Sequence, residues 1–387
     1  MTPSKKHIKD CAKNMVETCN VRRGDSVSIR GGVHAQALLE EVALECYRKG
    51  AAPMILSTSD GYSKRIYDEI PTSVLSRTPK HYVGMVKESD LLIVVEELDD
   101  PKIAEGFPRK KLVARRKAML PVMDIVYHPT DGKKWLYAGW PTSAAAKSYG
   151  IPYKQLESII VGGMSVPPKE LMKIGKTMAG KLAKASWVHV WDSKGTDFRV
   201  CVEGRRLNID DGFISKSDFD VGDRGANLPA GEVFFAPVEN RGEGSLYCPI
   251  TRDRMSERIL KEVRLEFKDG KLLLDRATAD VGGDQMIASF KESERIDTGK
   301  YSPVRTRNVA ELGIGFNPKI KKAIGYILTD EKVSGTVHLA FGSNNTYGGT
   351  SESVMHWDFV SAPGVNIEVE TDRGRTRRVM TRGKLVA

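Results

Sequence analysis

The sequence predicts an α/β protein in which an N-terminal doubly wound α/β domain is followed by a C-terminal, strand-rich α+β domain. Two observations lead to this prediction. Helical and strand patterns alternate through the first half of the chain, whereas strand patterns dominate the second half. Because 387 residues are too many for one ordinary core, we expect two domains, of residues 1–180 and 181–387.

In the first half, predicted helices and strands alternate. Apolar residues at helical spacing predict a first helix over 5–19 and a second from about 34 to 49. Short apolar runs predict strands at 24–30, 52–56 and 90–95. The pair Gly31-Gly32 fits a tight strand-to-helix turn, because the glycine spacing of phosphate-binding loops is missing.

A helical pattern over 153–184 separates the two halves, with a break predicted near Gly162-Gly163 and near 166–168. Beyond Trp187 the pattern changes to strands, at 188–190, 197–202, 263–267 and 271–274. Asp269-Gly270, between the last two, is typical of a hairpin turn. We therefore expect antiparallel or mixed sheets in the second half.

Composition narrows the class of protein. The chain has 40% hydrophobic and 28% charged residues and no apolar run of membrane-spanning length, so no membrane association is expected. Its five cysteines are scattered, which predicts reduced thiols and a cytoplasmic protein. The net charge is +10, but the densest basic stretch, 373–384, has no interleaved aromatic residues. We interpret it as a terminal strand with a solvated face, and nucleic acid is not an expected partner.

Candidate metal ligands lie in the second half. In His356-Trp357-Asp358, the imidazole and the carboxylate would project from the same face of a strand, a pair that suits zinc, cobalt, manganese or iron(II). His338 lies among small and apolar residues. A lone histidine in such a strand is more often a core residue, but the nearby pair favours a ligand.

Two carboxylates, Glu232 and Glu311, are flanked by apolar and small residues that should be buried. A buried carboxylate is either paired with a lysine or arginine or bound to a metal, and the pattern alone leaves both open. With the two histidines and Asp358, they would suffice for a two-metal site that hydrolyses an amide. Tyr347, in a glycine-flanked loop, could donate a hydrogen bond to a developing oxyanion or be a loop aromatic.

Four segments together resemble the M29 family of metallo-aminopeptidases: 227–234, 310–313, 337–342 and 356–358. Their order and spacing match the family over the C-terminal half. The resemblance implies a homodimer that uses two divalent ions, zinc or cobalt, to cleave N-terminal peptide or small amide bonds with an activated water. It implies five metal ligands: Glu232, Glu311, His338, His356 and Asp358.

The resemblance also implies catalytic roles for Glu311, as a bridging ligand or base, and for a tyrosine, for which Tyr347 is the nearest candidate. Tyr347 lies about two residues further from His338 than the family spacing would place it. Gly231 stands where many members have another glutamate. Glu239 is a weaker substitute for Glu232, because it falls outside the matching motif.

Two alternatives remain at this point. The 2,5-dihydroxypyridine dioxygenases are similar to M29 proteins but use a single iron(II), for which His338, His356 and Asp358 could be the ligands. Those enzymes are expected to have a histidine at the position of Glu311, so this glutamate favours the hydrolase. A binding protein with a degraded site is the other alternative, and the complete ligand set argues against it.

Overall fold

The structure, a computed structural model, describes residues 2–128, 130–220, 222–253 and 255–386. Its helices are α1 (Lys5–Thr18), α2 (Gln36–Arg48), α3 (Asp60–Glu69), α4 (Thr72–Leu75), α5 (Lys80–Glu88), α6 (Arg109–Ala118), α7 (Leu120–Val126), α8 (Ser143–Ser148), α9 (Tyr153–Met164), α10 (Pro168–Leu182), α11 (Lys216–Asp220), α12 (Gly283–Thr298) and α13 (Ile327–Asp330). Across these ranges, no helix has the length and apolar character needed to span a bilayer.

The strands are β1 (Ser26–Gly32), β2 (Ala52–Thr58), β3 (Leu91–Val95), β4 (Lys134–Ala138), β5 (Ala185–Trp191), β6 (Asp197–Cys201), β7 (Leu207–Asp210), β8 (Gly225–Leu228), β9 (Glu232–Phe235), β10 (Gly242–Arg252), β11 (Ile259–Lys268), β12 (Lys271–Leu272), β13 (Val309–Gly315), β14 (Thr336–Gly342), β15 (His356–Val360), β16 (Asn366–Thr371), β17 (Thr376–Thr381) and β18 (Lys384–Leu385). The strand predicted in the basic C-terminal stretch is β17, where Val379 and Met380 are buried.

The chain forms two compact units. The first consists of Met1–Pro168 with Gly212–Ala230, and the second of Lys169–Asp211 with Gly231–Ala387. The first unit therefore ends before residue 180 and also includes a later segment that supplies β8. Strand β8 pairs with β4, which lies far from it in the sequence. No local sequence pattern predicts this pairing, because it forms only in the folded protein.

The first unit is built on a five-stranded parallel sheet with the strand order β2-β1-β3-β4-β8. The alternation of strands and helices thus produces the predicted doubly wound fold. The predicted turn at Gly31-Gly32 is wrong: both residues end strand β1 and pair with β2. A Cβ at Gly31 would lie 2.9 Å from Leu39, so this glycine allows helix α2 to approach the sheet.

The break predicted near 166–168 is confirmed, because residues 165–167 separate helix α9 from α10. The break predicted near Gly162-Gly163 is wrong, because α9 continues through both glycines to Met164. Gly163 is buried, as are the neighbouring residues Val161 and Met164, so packing of the helix outweighs the low helix propensity of glycine.

The second unit contains two antiparallel sheets. The larger sheet has the order β12-β11-β10-β6-β5-β16-β17-β18, and the smaller one, called here the site sheet, has the order β15-β14-β13-β9-β7. Phe290 of α12 stacks on Trp357 and Phe359 of the site sheet. The predicted hairpin joins β11 to β12, and Asp269 and Gly270 both have positive φ, as its tight turn requires.

Candidate metal centre

The five predicted metal ligands lie on four consecutive strands of the site sheet. Glu232 begins β9, Glu311 lies in β13, His338 lies in β14, and His356 and Asp358 lie in β15. The strand register places Gly313 opposite His338, and Ala340 opposite Asp358. Alternate residues of a strand share a face, so the register brings side chains from these distant segments to one face of the sheet.

The first group of potential ligands consists of Glu232, Glu311 and His338. The Nε2 atom of His338 lies 3.0 Å from Glu311 Oε1 and 3.4 Å from Glu232 Oε2. All three residues are buried, and His338 is fully so. Within the described residues, Glu232 Oε2 accepts no hydrogen bond. A buried oxygen of this kind, beside an imidazole nitrogen, is suited to a cation.

The second group consists of Glu311, His356 and Asp358. The Nε2 atom of His356 lies 3.1 Å from Asp358 Oδ1 and 3.7 Å from Glu311 Oε2. Glu311 therefore belongs to both groups, with Oε1 facing His338 and Oε2 facing His356. A carboxylate in this arrangement can bridge two neighbouring divalent ions.

The orientation of His356 is fixed by the loop that follows β14. Its Nδ1 atom lies 2.8 Å from the carbonyl oxygen of Ser343. Because a carbonyl oxygen only accepts, Nδ1 carries the proton and donates it. In the neutral ring this leaves the lone pair on Nε2, which faces Glu311 and Asp358. Histidine ligands of metals are commonly oriented in this way by a partner of the second ring nitrogen.

Tyr347 lies at the edge of the second group. Its hydroxyl oxygen is 3.3 Å from His356 Nδ1 and 3.3 Å from the Ser343 carbonyl oxygen. Burial, together with the negative charges of Glu311 and Asp358, raises the pKa of Tyr347 well above its usual value. The hydroxyl therefore stays protonated at neutral pH and acts as a hydrogen-bond donor, here to the Ser343 carbonyl oxygen.

Both imidazoles bind protons strongly in the protein without metal. Burial lowers the pKa of His338, but the hydrogen bond to Glu311 and the charge of Glu232 outweigh it and raise the pKa to about 9. Burial likewise lowers the pKa of His356, but the charge of Asp358 and its hydrogen bond raise the pKa to about 10. A metal ion must displace these protons to bind.

Metal binding should therefore release protons. Binding of Co²⁺ to the metal-free protein near neutral pH is expected to release about two protons per chain, since each ring gives up one. Both pKa values exceed the unfolded value of about 6.5. The stability that the protonated rings give the metal-free protein is thus fully present below about pH 6.5 and lost as pH rises through 9 to 10.

Calorimetry in buffers of different ionisation enthalpy measures this proton release. The variant His356→Ala, which keeps only one of the two rings, is the matched control and should release about one proton. Metal binding without proton release would contradict the protonated state inferred for the two imidazoles.

Sequence reasoning missed Lys332, which lies beside the first group. Its Nζ atom contacts Glu232 Oε1, and it lies 3.1 Å from Asp210 Oδ2 and 3.3 Å from Glu331 Oε2. The side chain is completely buried. The salt bridge weighed as an alternative for Glu232 therefore exists, but it engages one oxygen and leaves the other facing His338. No local pattern marks Lys332, because Asp210 and Glu232 come from segments far from it in the sequence.

Gly313 was part of a recognised motif, but its role emerges only from the fold. A Cβ atom at this position would lie 2.0 Å from Nε2 and 2.0 Å from Cε1 of His338, the residue opposite it. No side chain is compatible with the imidazole in its present place. Glycine here makes room for the ligand ring between the two strands.

The surroundings of Gly231 and Glu239 explain why neither position supplies a further carboxylate ligand beside Glu232. Gly231 has φ +126°, and a Cβ there would lie 2.9 Å from Asn317, so a glutamate does not fit at this position. Glu239 accepts hydrogen bonds from Arg205 and from the backbone of Thr350, at 2.6 Å each, outside both ligand groups. It is not placed to substitute for Glu232.

The residues present fit divalent metal ions. Each group offers one imidazole nitrogen and carboxylate oxygens, and the ligand atoms within a group lie within 4.8 Å of one another. Nitrogen and oxygen donors of this kind suit zinc, cobalt, manganese and iron(II). The arrangement can therefore support metal-assisted chemistry.

Comparisons with known proteins agree with this geometry. The sequence profile of a family described as thermophilic metalloprotease (M29) matches residues 4–385. The fold is similar to that of wild-type AmpT from Thermus thermophilus, with a TM-score of 0.77 and 18% identity over 99% of this chain and 100% of that one. It is also similar to 2,5-dihydroxypyridine dioxygenase from Pseudomonas putida, with a TM-score of 0.60 and 14% identity over 100% and 98% of the two chains. No curated protein sequence matches the chain.

Proposed function

The chain belongs to the M29 family of metalloproteases and is therefore a metal-dependent hydrolase, and we propose that it is an aminopeptidase. Its substrates would be peptides with a free N-terminus or small amino-acid amides. The observation that carries the proposal is the position of Glu311, whose two oxygens face two different groups of ligands. Two ions that share a carboxylate can act together on one amide bond.

The charges around the site support two ions rather than one. Five carboxylates and one ammonium group form the network: Asp210, Glu232, Glu311, Glu331, Asp358 and Lys332. Burial raises the pKa of Glu331 to about 8, so this carboxyl carries a proton near neutral pH. With the imidazoles neutral, the other four carboxylates and the ammonium group leave three negative charges, more than a single divalent ion cancels. A single ion would leave uncompensated charge in a buried site, which is costly.

The protein's own residues would position the reaction. When bound, the ions would supply Lewis acidity and lower the pKa of a water molecule toward neutrality. Glu311 would hold the two ion sites together, or accept the proton of that water. Ser343 would keep His356 oriented, and the Tyr347 hydroxyl would donate a hydrogen bond to the oxygen of the substrate carbonyl as negative charge develops there.

The proposal is tested by metal analysis together with hydrolysis of amino-acid amides. We expect about two ions of zinc or cobalt per chain, and cleavage of unblocked amides. The same amides with an acetylated N-terminus are the matched control and should react much more slowly, because an aminopeptidase requires the free amine. One iron per chain with oxygen uptake would instead indicate ring-cleaving dioxygenase chemistry, and absence of metal would indicate a binding protein.

Tyr347 is expected to contribute to the rate of amide hydrolysis rather than to metal binding. The variant Tyr347→Phe should lower kcat by about 100-fold, the effect of losing one oxyanion donor, while metal content stays unchanged. Steady-state kinetics and metal analysis measure both quantities. Tyr301→Phe, a tyrosine change outside the site, serves as the control. An unchanged kcat for Tyr347→Phe would show that Tyr347 is only a loop aromatic.

A further inference from the structure

The two oxygens of Glu232 have different surroundings. Oε1 contacts the ammonium group of Lys332, and Oε2 faces the imidazole of His338 at 3.4 Å. Rotation of the carboxylate would exchange the two oxygens but not the two environments. The contact with Lys332 thus determines how much of Glu232 is available to an ion in the first ligand group.

The position of Lys332 is fixed by its own backbone. Its carbonyl oxygen accepts a hydrogen bond of 3.0 Å from the amide of Asn317, and its amide donates to the Thr329 carbonyl at 3.1 Å. The preceding turn is held by the carboxylate of Asp330, which accepts hydrogen bonds from the amides of Ile324 and Gly325. The ammonium group is therefore held in place by a well-bonded turn and not by a flexible loop.

Glu232 is also positioned by the pairing of its own backbone in the site sheet. It begins β9, where it pairs with Asp210 of β7 on one side and with Gly315 of β13 on the other. Lys332 also contacts Asp210, so the ammonium bridges the carboxylates of two paired residues. Backbone pairing and the shared ammonium together leave the Glu232 side chain little freedom to turn away from His338.

We propose that Lys332 is a positioning residue of the metal centre, which holds Glu232 as a ligand that offers one oxygen, Oε2, to the ion shared with Glu311 and His338. This inference rests on the proposed function, because it assumes ions in both groups. It assigns Lys332 no contact with the substrate. Partners that orient a metal ligand typically contribute about 10- to 100-fold to metal affinity.

Removal of Lys332 alone would have two opposite effects. Loss of the contact would free Glu232 and weaken the first ion, whereas loss of a positive charge would strengthen the attraction of both ions. The double variant Lys332→Met with Asp210→Asn separates them, because it removes one charge of each sign. The single variant Asp210→Asn is the matched control, since it keeps the contact between Lys332 and Glu232.

The experiment is titration of the metal-free proteins with Co²⁺, followed by calorimetry and by visible absorption. In the double variant we expect the ion of the first ligand group to bind at least about 10-fold more weakly than in the wild type. The ion of the second group should bind within about twofold of its wild-type affinity. Asp210→Asn alone loses one negative charge but keeps the contact between Lys332 and Glu232, so it should weaken both ions to a similar and smaller extent. Lys332→Gln with Asp210→Asn, which restores an amide donor, should recover part of the lost affinity.

The inference would be overturned if the double variant bound both ions with the wild-type affinity. It would also be overturned if the affinity fell equally at both sites. If the double variant with methionine does not fold, Lys332→Gln with Asp210→Asn is tested instead. It should show a smaller loss of affinity, confined to the ion of the first ligand group. Because the readout is metal binding, its failure is distinct from failure of the proposed function. The latter would appear as a wild-type protein that binds fewer than two ions or does not cleave amides.

Discussion

Replacement of Glu311 with glutamine is expected to lower kcat/KM by about 1000-fold or more. Metal ions contribute several kcal/mol of transition-state stabilisation, and each 1.4 kcal/mol corresponds to a factor of ten in rate. Glu311 faces both imidazoles, 3.0 Å from His338 and 3.7 Å from His356, so its loss affects both groups at once. Metal analysis should show fewer than two ions per chain, and amide hydrolysis should fall accordingly.

The matched variant is His356→Ala, which removes a ligand of the second group only. It should retain the ion beside Glu232 and His338, whereas Glu311→Gln should weaken both. An exposed change in the same unit, Glu243→Gln, controls for nonspecific loss of stability. If Glu311→Gln kept both ions and its activity, Glu311 would not be a shared ligand.

Replacement of Gly313 with alanine is expected to disrupt the site although Gly313 offers no functional group. The added Cβ would lie 2.0 Å from the His338 ring, so the ring or strand β13 must move. Overpacking of this kind costs about 1–3 kcal/mol of stability. Displacement of His338 should also weaken the first ion and lower kcat/KM by about 100-fold, since 1 Å misplacements can have effects of this size.

Thermal unfolding with and without Co²⁺, together with amide hydrolysis, measures the effect of this change. The matched control is Gly180→Ala in helix α10, where an added Cβ meets nothing within 4 Å. That change should be neutral or stabilise the helix by about 0.5–1 kcal/mol. Normal metal binding and activity in Gly313→Ala would show that the ring has space that the structure does not indicate.

The sequence allowed the fold class and most elements to be predicted because their signals are local. The helix α1, the strand β3 and the hairpin at Asp269-Gly270 each depend on a few neighbouring residues. Errors arose where tertiary packing outweighed a local preference, as at Gly31 and Gly162. The return of residues 212–230 to the first unit depends on pairing of β8 with β4, which no local pattern encodes.

The candidate site was predictable to a similar extent. His356 and Asp358 were placed together by the alternation of a single strand. Apolar surroundings marked His338, Glu232 and Glu311 as candidates, and the resemblance joined all five into one ligand set. Lys332 was not found, because its contacts with Glu232 and Asp210 depend on how three segments meet. A bridging role for Glu311 was expected from the resemblance alone, since no local pattern encodes the strand register and side-chain conformation that place its two oxygens toward two groups.

Anomalous X-ray scattering at the cobalt absorption edge, from crystals of the Co²⁺-loaded protein, tests the central claim most directly. We expect two peaks about 3.5–4 Å apart on either side of Glu311. One should lie beside Glu232 and His338, and the other beside His356 and Asp358. A single peak held by His338, His356 and Asp358, or no peak near Glu311, would contradict the two-metal hydrolase.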